Sequence, residues 1–190
     1  MNWILASGSP RRRELLEMLG VPDLTIRPAK GPERATPGAG PEQTVRELSL
    51  HKAQEVAQTC APEDIIIAAD TIVYLDGAIL GKPRDHDDAV RMLTALSGRE
   101  HIVYTGVAVL RGGELRQAAE HTAVRFRPLT SGEIERYIAT GEPMDKAGAY
   151  GIQGRGALFV AHLDGDYFNV MGLPLCRLGQ LLNELGVELL

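Results

Sequence analysis

The run from Ile65 to Leu75, Ile-Ile-Ile-Ala-Ala-Asp-Thr-Ile-Val-Tyr-Leu, constrains this chain more than any other stretch. Its β-branched residues make it a buried strand, and Asp76-Gly77 behind it is a two-residue hairpin signal that sends the chain back through Ala78, Ile79 and Leu80. Asp70 sits in the middle of that apolar strand. An ionised carboxylate there costs roughly several kcal/mol unless a cation, a metal or hydrogen-bond donors face it. Counting outward from the turn pairs Leu75 with Ala78, and a continued ladder would pair Thr71 with Lys82 and Asp70 with Pro83. Strict alternation puts Asp70 on the face opposite Thr71 and Lys82, so bringing the Lys82 ammonium beside Asp70 requires the ladder to break near Gly81 and Pro83. On the residues alone, the pair is open between a structural ion pair and a reactive one.

The composition bounds what surrounds that strand. With 190 residues, 44% of them apolar and 24% charged, the chain can build one good core, a single domain over 1–190 with room for two lobes around a central cleft. A net charge of −5 argues against a surface that coats nucleic acid. The cysteines are Cys60 and Cys176, far apart, which reads as two reduced thiols of a cytoplasmic protein rather than a disulfide framework. No signal peptide is expected ahead of Ser7-Gly8-Ser9-Pro10-Arg11-Arg12-Arg13, and no apolar run approaches the length that spans a membrane. The lysines are Lys30, Lys52, Lys82 and Lys146 against sixteen arginines, so a lysine kept here can serve as a compact point charge.

Ahead of the central strand, Asn2–Ala6 reads as a short strand and Ser7-Gly8-Ser9 as a tight loop. Ser9 can cap a helix that has Pro10 at its first position, Leu15, Leu16, Met18 and Leu19 on one face, and Gly20 as its stop. Arg11, Arg12 and Arg13 crowd the first turn, where the helix already carries partial positive charge. Either Glu14, Glu17 or a distant acid neutralises them on a solvated face, or they wait for a phosphate or carboxylate; the Gly-Ser loop favours the second. Leu24–Pro28 reads as a strand. Lys30–Pro41, rich in proline and glycine, reads as a disordered crossing or a flap over a site, and Glu33 inside it is not specific enough to carry a role. Pro41 opens a helix to about Thr59 on which Lys52 reads as a solvent lysine.

Beyond the hairpin, a helix from Asp85 to Leu96, a strand pair turning at Gly112-Gly113, and a helix opened by the Thr130/Glu133 capping box predict an α+β arrangement on a long mixed sheet flanked by helices, α/β in the broad sense. The strand returning from Gly112-Gly113 reads as a sheet edge facing water. Gly141–Gly156 holds too many glycines for regular structure and reads as backbone wrapped closely around something. Ala157–Leu163 and Tyr167–Met171 read as strands, and Pro174–Leu185 as an amphipathic closing helix.

Several familiar sites are excluded. Gly77-Ala-Ile-Leu-Gly81-Lys82 is one residue short of a P-loop and has Pro83 where a magnesium-holding hydroxyl belongs. His51, His86, His101, His121 and His162 lack metal-ligand spacing. No Gly-x-Ser-x-Gly elbow exists. A cationic helix start, a buried acid, a lysine and a glycine-rich loop remain, and a polyphosphate with a hard cation satisfies all four. An acid inside an anion site favours cutting over mere binding, because it repels phosphate unless it carries a metal or takes a proton.

The motifs Ser7-Gly8-Ser9-Pro10-Arg11-Arg12, Ala69-Asp70-Thr71, Gly81-Lys82-Pro83, Tyr104-Thr105-Gly106-Val107 and Glu142-Pro143-Met144-Asp145-Lys146-Ala147-Gly148-Ala149-Tyr150-Gly151-Ile152-Gln153-Gly154 resemble the Maf family of nucleoside triphosphate pyrophosphatases, also called septum-formation-inhibitor-like proteins. The resemblance covers essentially the whole chain. It implies an elongated α/β fold like that of inosine triphosphate pyrophosphatases and hydrolysis between the α and β phosphates to a monophosphate and pyrophosphate. It also implies a divalent metal, magnesium before manganese, and a homodimer; the expectation of a cytoplasmic protein that binds neither membrane nor nucleic acid comes from the thiols, the hydropathy and the charge above. Asp70 matches the family's proton acceptor and is the candidate metal ligand. Arg12, Thr71 and Gln153 match positions that decide substrate choice. Asp145-Lys146-Ala147-Gly148-Ala149-Tyr150-Gly151-Ile152-Gln153-Gly154 looks like the dTTP/UTP subgroup, and a glutamine amide can meet both N3–H and a carbonyl of thymine or uracil. On this reading Lys82 and Lys52 stabilise phosphate charge, Ser9 and Arg12 hold the polyphosphate, and Thr71 and Gln153 read the base. The rival is a nucleotide-binding regulator of cell division without turnover.

Overall fold

The computed structural model describes residues 2–32 and 34–190; Glu33 lies outside them. In chain order the elements are β1 (Trp3–Leu5), α1 (Pro10–Met18), β2 (Leu24–Ile26), α2 (Pro41–Ala57), β3 (Ile65–Leu75), β4 (Ala78–Leu80), α3 (His86–Leu96), β5 (Glu100–Arg111), β6 (Glu114–Phe126), α4 (Ser131–Ile138), β7 (Val160–Asp164), α5 (Tyr167–Met171) and α6 (Leu175–Asn183). Short 3₁₀ turns occupy Glu142–Asp145, Ala147–Ala149 and Arg155–Phe159. Among the described residues seven strands form a sheet in the order β2-β1-β3-β5-β6-β7, with β4 paired to β3. No described helix is long and apolar enough to cross a membrane.

The chain divides into two compact units. The first comprises the chain to Asp70, Thr105–Glu120 and Gly172–Leu190; the second comprises Thr71–Tyr104 and His121–Met171. In the first unit β1 lies parallel to both β2 and β3, with Leu5 in register with Ile26 and Ile67. Ile65 to Ala69 are essentially sealed from water, as a run apolar on both faces requires. Helix α2 packs Ala53 and Val56 on Ile66, Ala68 and Ala108. Strand and helix meet backbone to backbone there: a Cβ on Gly106 would fall inside the Val45 carbonyl. All four leucines of α6 expected to face inward, Leu175, Leu178, Leu181 and Leu182, are buried. Within Lys30–Pro41, Glu55 accepts from the Lys30 and Gly31 amides and Glu47 from the Thr36 amide. Met18, expected on the buried face of α1, is 59% exposed.

In the second unit the hairpin pairs Leu75 with Ala78 and Val73 with Leu80, as the turn signal predicts. Asp76 and Gly77 both have positive φ, the requirement of a type I′ turn. Asp85 caps α3 through the Asp88 amide, and Thr130 with Glu133 forms the expected capping box on α4. Arg91 and Arg84 hold the Asp88 carboxyl down to about 2, and Arg127 with the Thr130 amide holds Glu133 likewise. The core joins Leu93, Leu96, Phe126, Ile134 and Phe159. His101 lies inside it, edge-on to Phe126 and Tyr150, with Nε2 2.7 Å from the Tyr150 hydroxyl. Burial pushes this imidazole down to about 4.

Three sequence expectations change here. Ala157–Phe159 is helical turn, and the strand starts only at Val160. The strand returning from Gly112-Gly113 is not an edge along Ala123–Phe126, where β7 pairs with it. Tyr167–Met171 is a helix rather than a strand. Local capping favours the helix: Asp166 accepts from the Phe168 amide at 2.7 Å, and buried Asn169 donates to the Val103 carbonyl and the Thr122 hydroxyl.

Candidate active site

Asp70 is the last residue of the sealed stretch of β3 and is itself only 7% exposed. Its cation is Lys52 on α2, whose Nζ donates to Oδ1 at 2.5 Å. Side-chain exposures of 17% and 10% keep the pair largely away from water, so removing either partner strands a charge. This corrects two expectations. Lys52 is no solvent lysine, and the hairpin is not what supplies the ammonium to Asp70. The ladder ends at Val73 and Leu80, after which Gly81 turns its carbonyl to the Gly148 amide at 3.0 Å. Lys82 is exposed and makes no hydrogen bond or ion pair among the described residues.

The three arginines of α1 separate. Arg13 forms an i,i+4 pair with Glu17 at 2.7 Å on an exposed face, the solvated alternative. Arg12 is buried and locked, donating from Nε to the Gly172 carbonyl at 2.7 Å and from Nη1 to the Ser7 hydroxyl at 2.9 Å. Ser7 also accepts from the Ser9 amide. Ser9 stands at the N-cap in extended backbone, but its side chain makes no capping bond, leaving that hydroxyl for another acceptor or donor. Since β1 is parallel to its neighbours, the Ser7–Ser9 turn leaves its carboxyl end and runs into a helix start, a usual ligand position in α/β sheets.

Thr71 follows Asp70 on β3, half-buried, and strand alternation turns it to the other face. Gln153 is exposed on a turn of the glycine-rich segment, and its amide makes no hydrogen bond among the described residues. What that segment wraps is in part its own chain. Glu142 accepts from the Tyr137 hydroxyl at 2.9 Å, the Arg155 amide at 2.9 Å and the Gly156 amide at 3.2 Å.

Residues 2–185 match the family model described as Maf-like protein. The chain belongs to that family. Relatives named dTTP/UTP pyrophosphatase include one from Moorella thermoacetica, 52% identical over 97% of this chain and 95% of its own, and one from Symbiobacterium thermophilum, 51% identical over 96% and 93%. The fold is also that of a HAM1 protein from Coxiella burnetii, TM-score 0.56 at 15% identity over 97% of this chain and 99% of that one.

For a Maf-like protein the metal question turns on donors. The described residues contain no group of three or more His, Cys, Asp and Glu placed to hold an ion. Asp70 offers one carboxylate, one of whose oxygens Lys52 already engages. That donor set does not fit an all-protein cage. It fits a small hard cation whose other ligands are water and phosphate oxygens. Sequence reasoning did not single out Ser7 and the Gly172 carbonyl as acceptors of Arg12, or Tyr137 and Glu142 as the groups that hold the glycine-rich turn. Glu142, a carboxylate among glycines that leave amides bare, carried a readable signal; the backbone carbonyl of Gly172 carried none.

Proposed function

We propose that this Maf-like protein hydrolyses dTTP and UTP to the monophosphate and pyrophosphate. The observation that carries the reading is the enclosed Lys52–Asp70 pair, in a chain about half identical to relatives named for that activity. A carboxylate enclosed with a lysine ammonium is poised to change partner when a polyphosphate draws the ammonium toward itself. Asp70 then takes a proton from water as the water oxygen bonds to phosphorus at the α–β linkage, the bridging bond breaks and pyrophosphate leaves. Lys52 and Lys82 stabilise the phosphate charge, and Arg12 with Ser9 holds the polyphosphate. A divalent cation, magnesium first and manganese second, would be held by Asp70 with phosphate oxygens and would supply charge neutralisation. Gln153 reads the pyrimidine with Thr71 through its paired donor and acceptor.

Pyrophosphate release across a nucleotide panel tests this. Turnover of dTTP and UTP above purine triphosphates is expected, falling by about 10²–10⁴ in Asp70→Asn. Binding without product, or full turnover by that variant, would overturn it. The family resemblance also supports a cytoplasmic homodimer, for which a monomer in sedimentation is the contrary result.

A further inference from the structure

The turn that carries Gln153, taken as the reader of the base under the function proposed above, is held by α4. Tyr137, on α4, accepts from the Gly151 amide at 3.1 Å while donating to Glu142. Glu142 in turn takes the amides of Arg155 and Gly156. The amides two residues before Gln153 and two and three residues after it therefore end on one phenol–carboxylate pair.

The glycines are explained by that pair. A Cβ on Gly154 would collide with the Glu142 carboxylate, and one on Gly156 would lie 2.7 Å from the Tyr137 hydroxyl and 2.6 Å from the Gly151 carbonyl. Gly148, at φ 68, turns the entry to the loop where a Cβ would stand 2.8 Å from Val73. Tyr150, just ahead of Gly151, is anchored on His101. Burial opposes the charge on Glu142, but the Arg155 and Gly156 amides with the Tyr137 hydroxyl outweigh it and hold the carboxyl below its ordinary range. The backbone is thus held on both sides of Gln153, whose side-chain amide makes no hydrogen bond among the described residues.

We propose that Glu142, acting with Tyr137, is a positioning residue for base selection: it clamps the backbone on both sides of Gln153 and sets the direction of that amide without touching substrate. Glutamine at 142 has one oxygen where the carboxylate has two, so an amide N–H must face a donor. In Glu142→Gln the kcat/KM ratio of dTTP over dCTP should fall about tenfold, the worth of one misaligned hydrogen bond. Amide exchange at Gly151, Arg155 and Gly156 should quicken about as much, a readout that needs no substrate. Tyr137→Phe should act in the same direction, and the double variant should be no worse than the stronger single one, because both cut one node. Should Glu142→Gln fail to fold, Tyr137→Phe carries the same test.

Unchanged exchange at those amides would overturn the clamp. A uniform loss of turnover on all nucleotides with an unchanged ratio, while Gln153→Glu does shift the ratio, would reduce Glu142 to a structural role and overturn the specificity claim. If Gln153→Glu leaves the ratio untouched, the base-reading assignment itself has failed, and the selection role of Glu142 falls with it.

Discussion

Asp70 is a buried acid and Glu142 a half-buried one, and their partners differ in kind. Asp70 faces a side-chain ammonium on a flexible stem, brought from a helix in the first unit. Glu142 faces backbone amides and a phenol that cannot leave without unwinding the loop. The contrast separates chemistry from architecture. A carboxylate whose counter-charge can swing away is available to react, whereas one satisfied by main chain is spent on shape.

Breaking the first arrangement should cost most. Lys52→Met leaves Asp70 enclosed without this cation and should destabilise the protein by roughly 3–5 kcal/mol in denaturant unfolding, while adding Asp70→Asn should recover much of that loss. If the single and double variants are equally unstable, the pair is not the counter-charge that matters.

The second region has an acid limit of its own. His101 titrates near 4 in the fold and near 6.5 unfolded, so the unfolded chain binds the extra proton first as the pH drops. Stability should therefore fall between about pH 6.5 and 4, by on the order of 3 kcal/mol. Asp88 and Glu133, with depressed carboxyls, keep their contribution above the ordinary carboxylate range and lose it as the pH falls toward about 2. Chemical unfolding of His101→Phe should show a flatter slope in the upper window alone.

A smaller effect sharpens the fixed half of the contrast. Gly154→Ala, at an ordinary negative φ, must push the Glu142 carboxylate aside and should cost about 1–3 kcal/mol in unfolding. Smallest of all, Arg13→Ala removes an exposed pair and should move stability by less than about 0.5 kcal/mol, with unchanged turnover, although it neighbours Arg12.

The strands and helices that bury a continuous stripe were legible: the Asp76-Gly77 hairpin and its register, the capping box at Thr130, the leucine face of α6. What stayed hidden depends on distant partners. Nothing within Pro41–Ala57 distinguishes Lys52 from a surface lysine, because its burial comes from a strand eighteen residues on. The hairpin count ran past Leu80 because the bond that ends the ladder comes from Gly148. Arg11, Arg12 and Arg13 look alike in sequence, and only tertiary acceptors separate the locked Arg12 from Arg13. Local capping by Asp166 turned Tyr167–Met171, read as a strand, into a helix.

Gly106 sets a limit on how this protein can be changed. Where strand β5 touches α2 there is main chain on both sides, so the usual remedy for a bad fit, exchanging one hydrocarbon for another, has nothing to act on. Val45 lies about two turns ahead of Lys52 along the same helix. Anyone wishing to retune the reaction can replace the ammonium or the acid, but the distance from the helix that bears the ammonium to strand β5 offers no dial to turn.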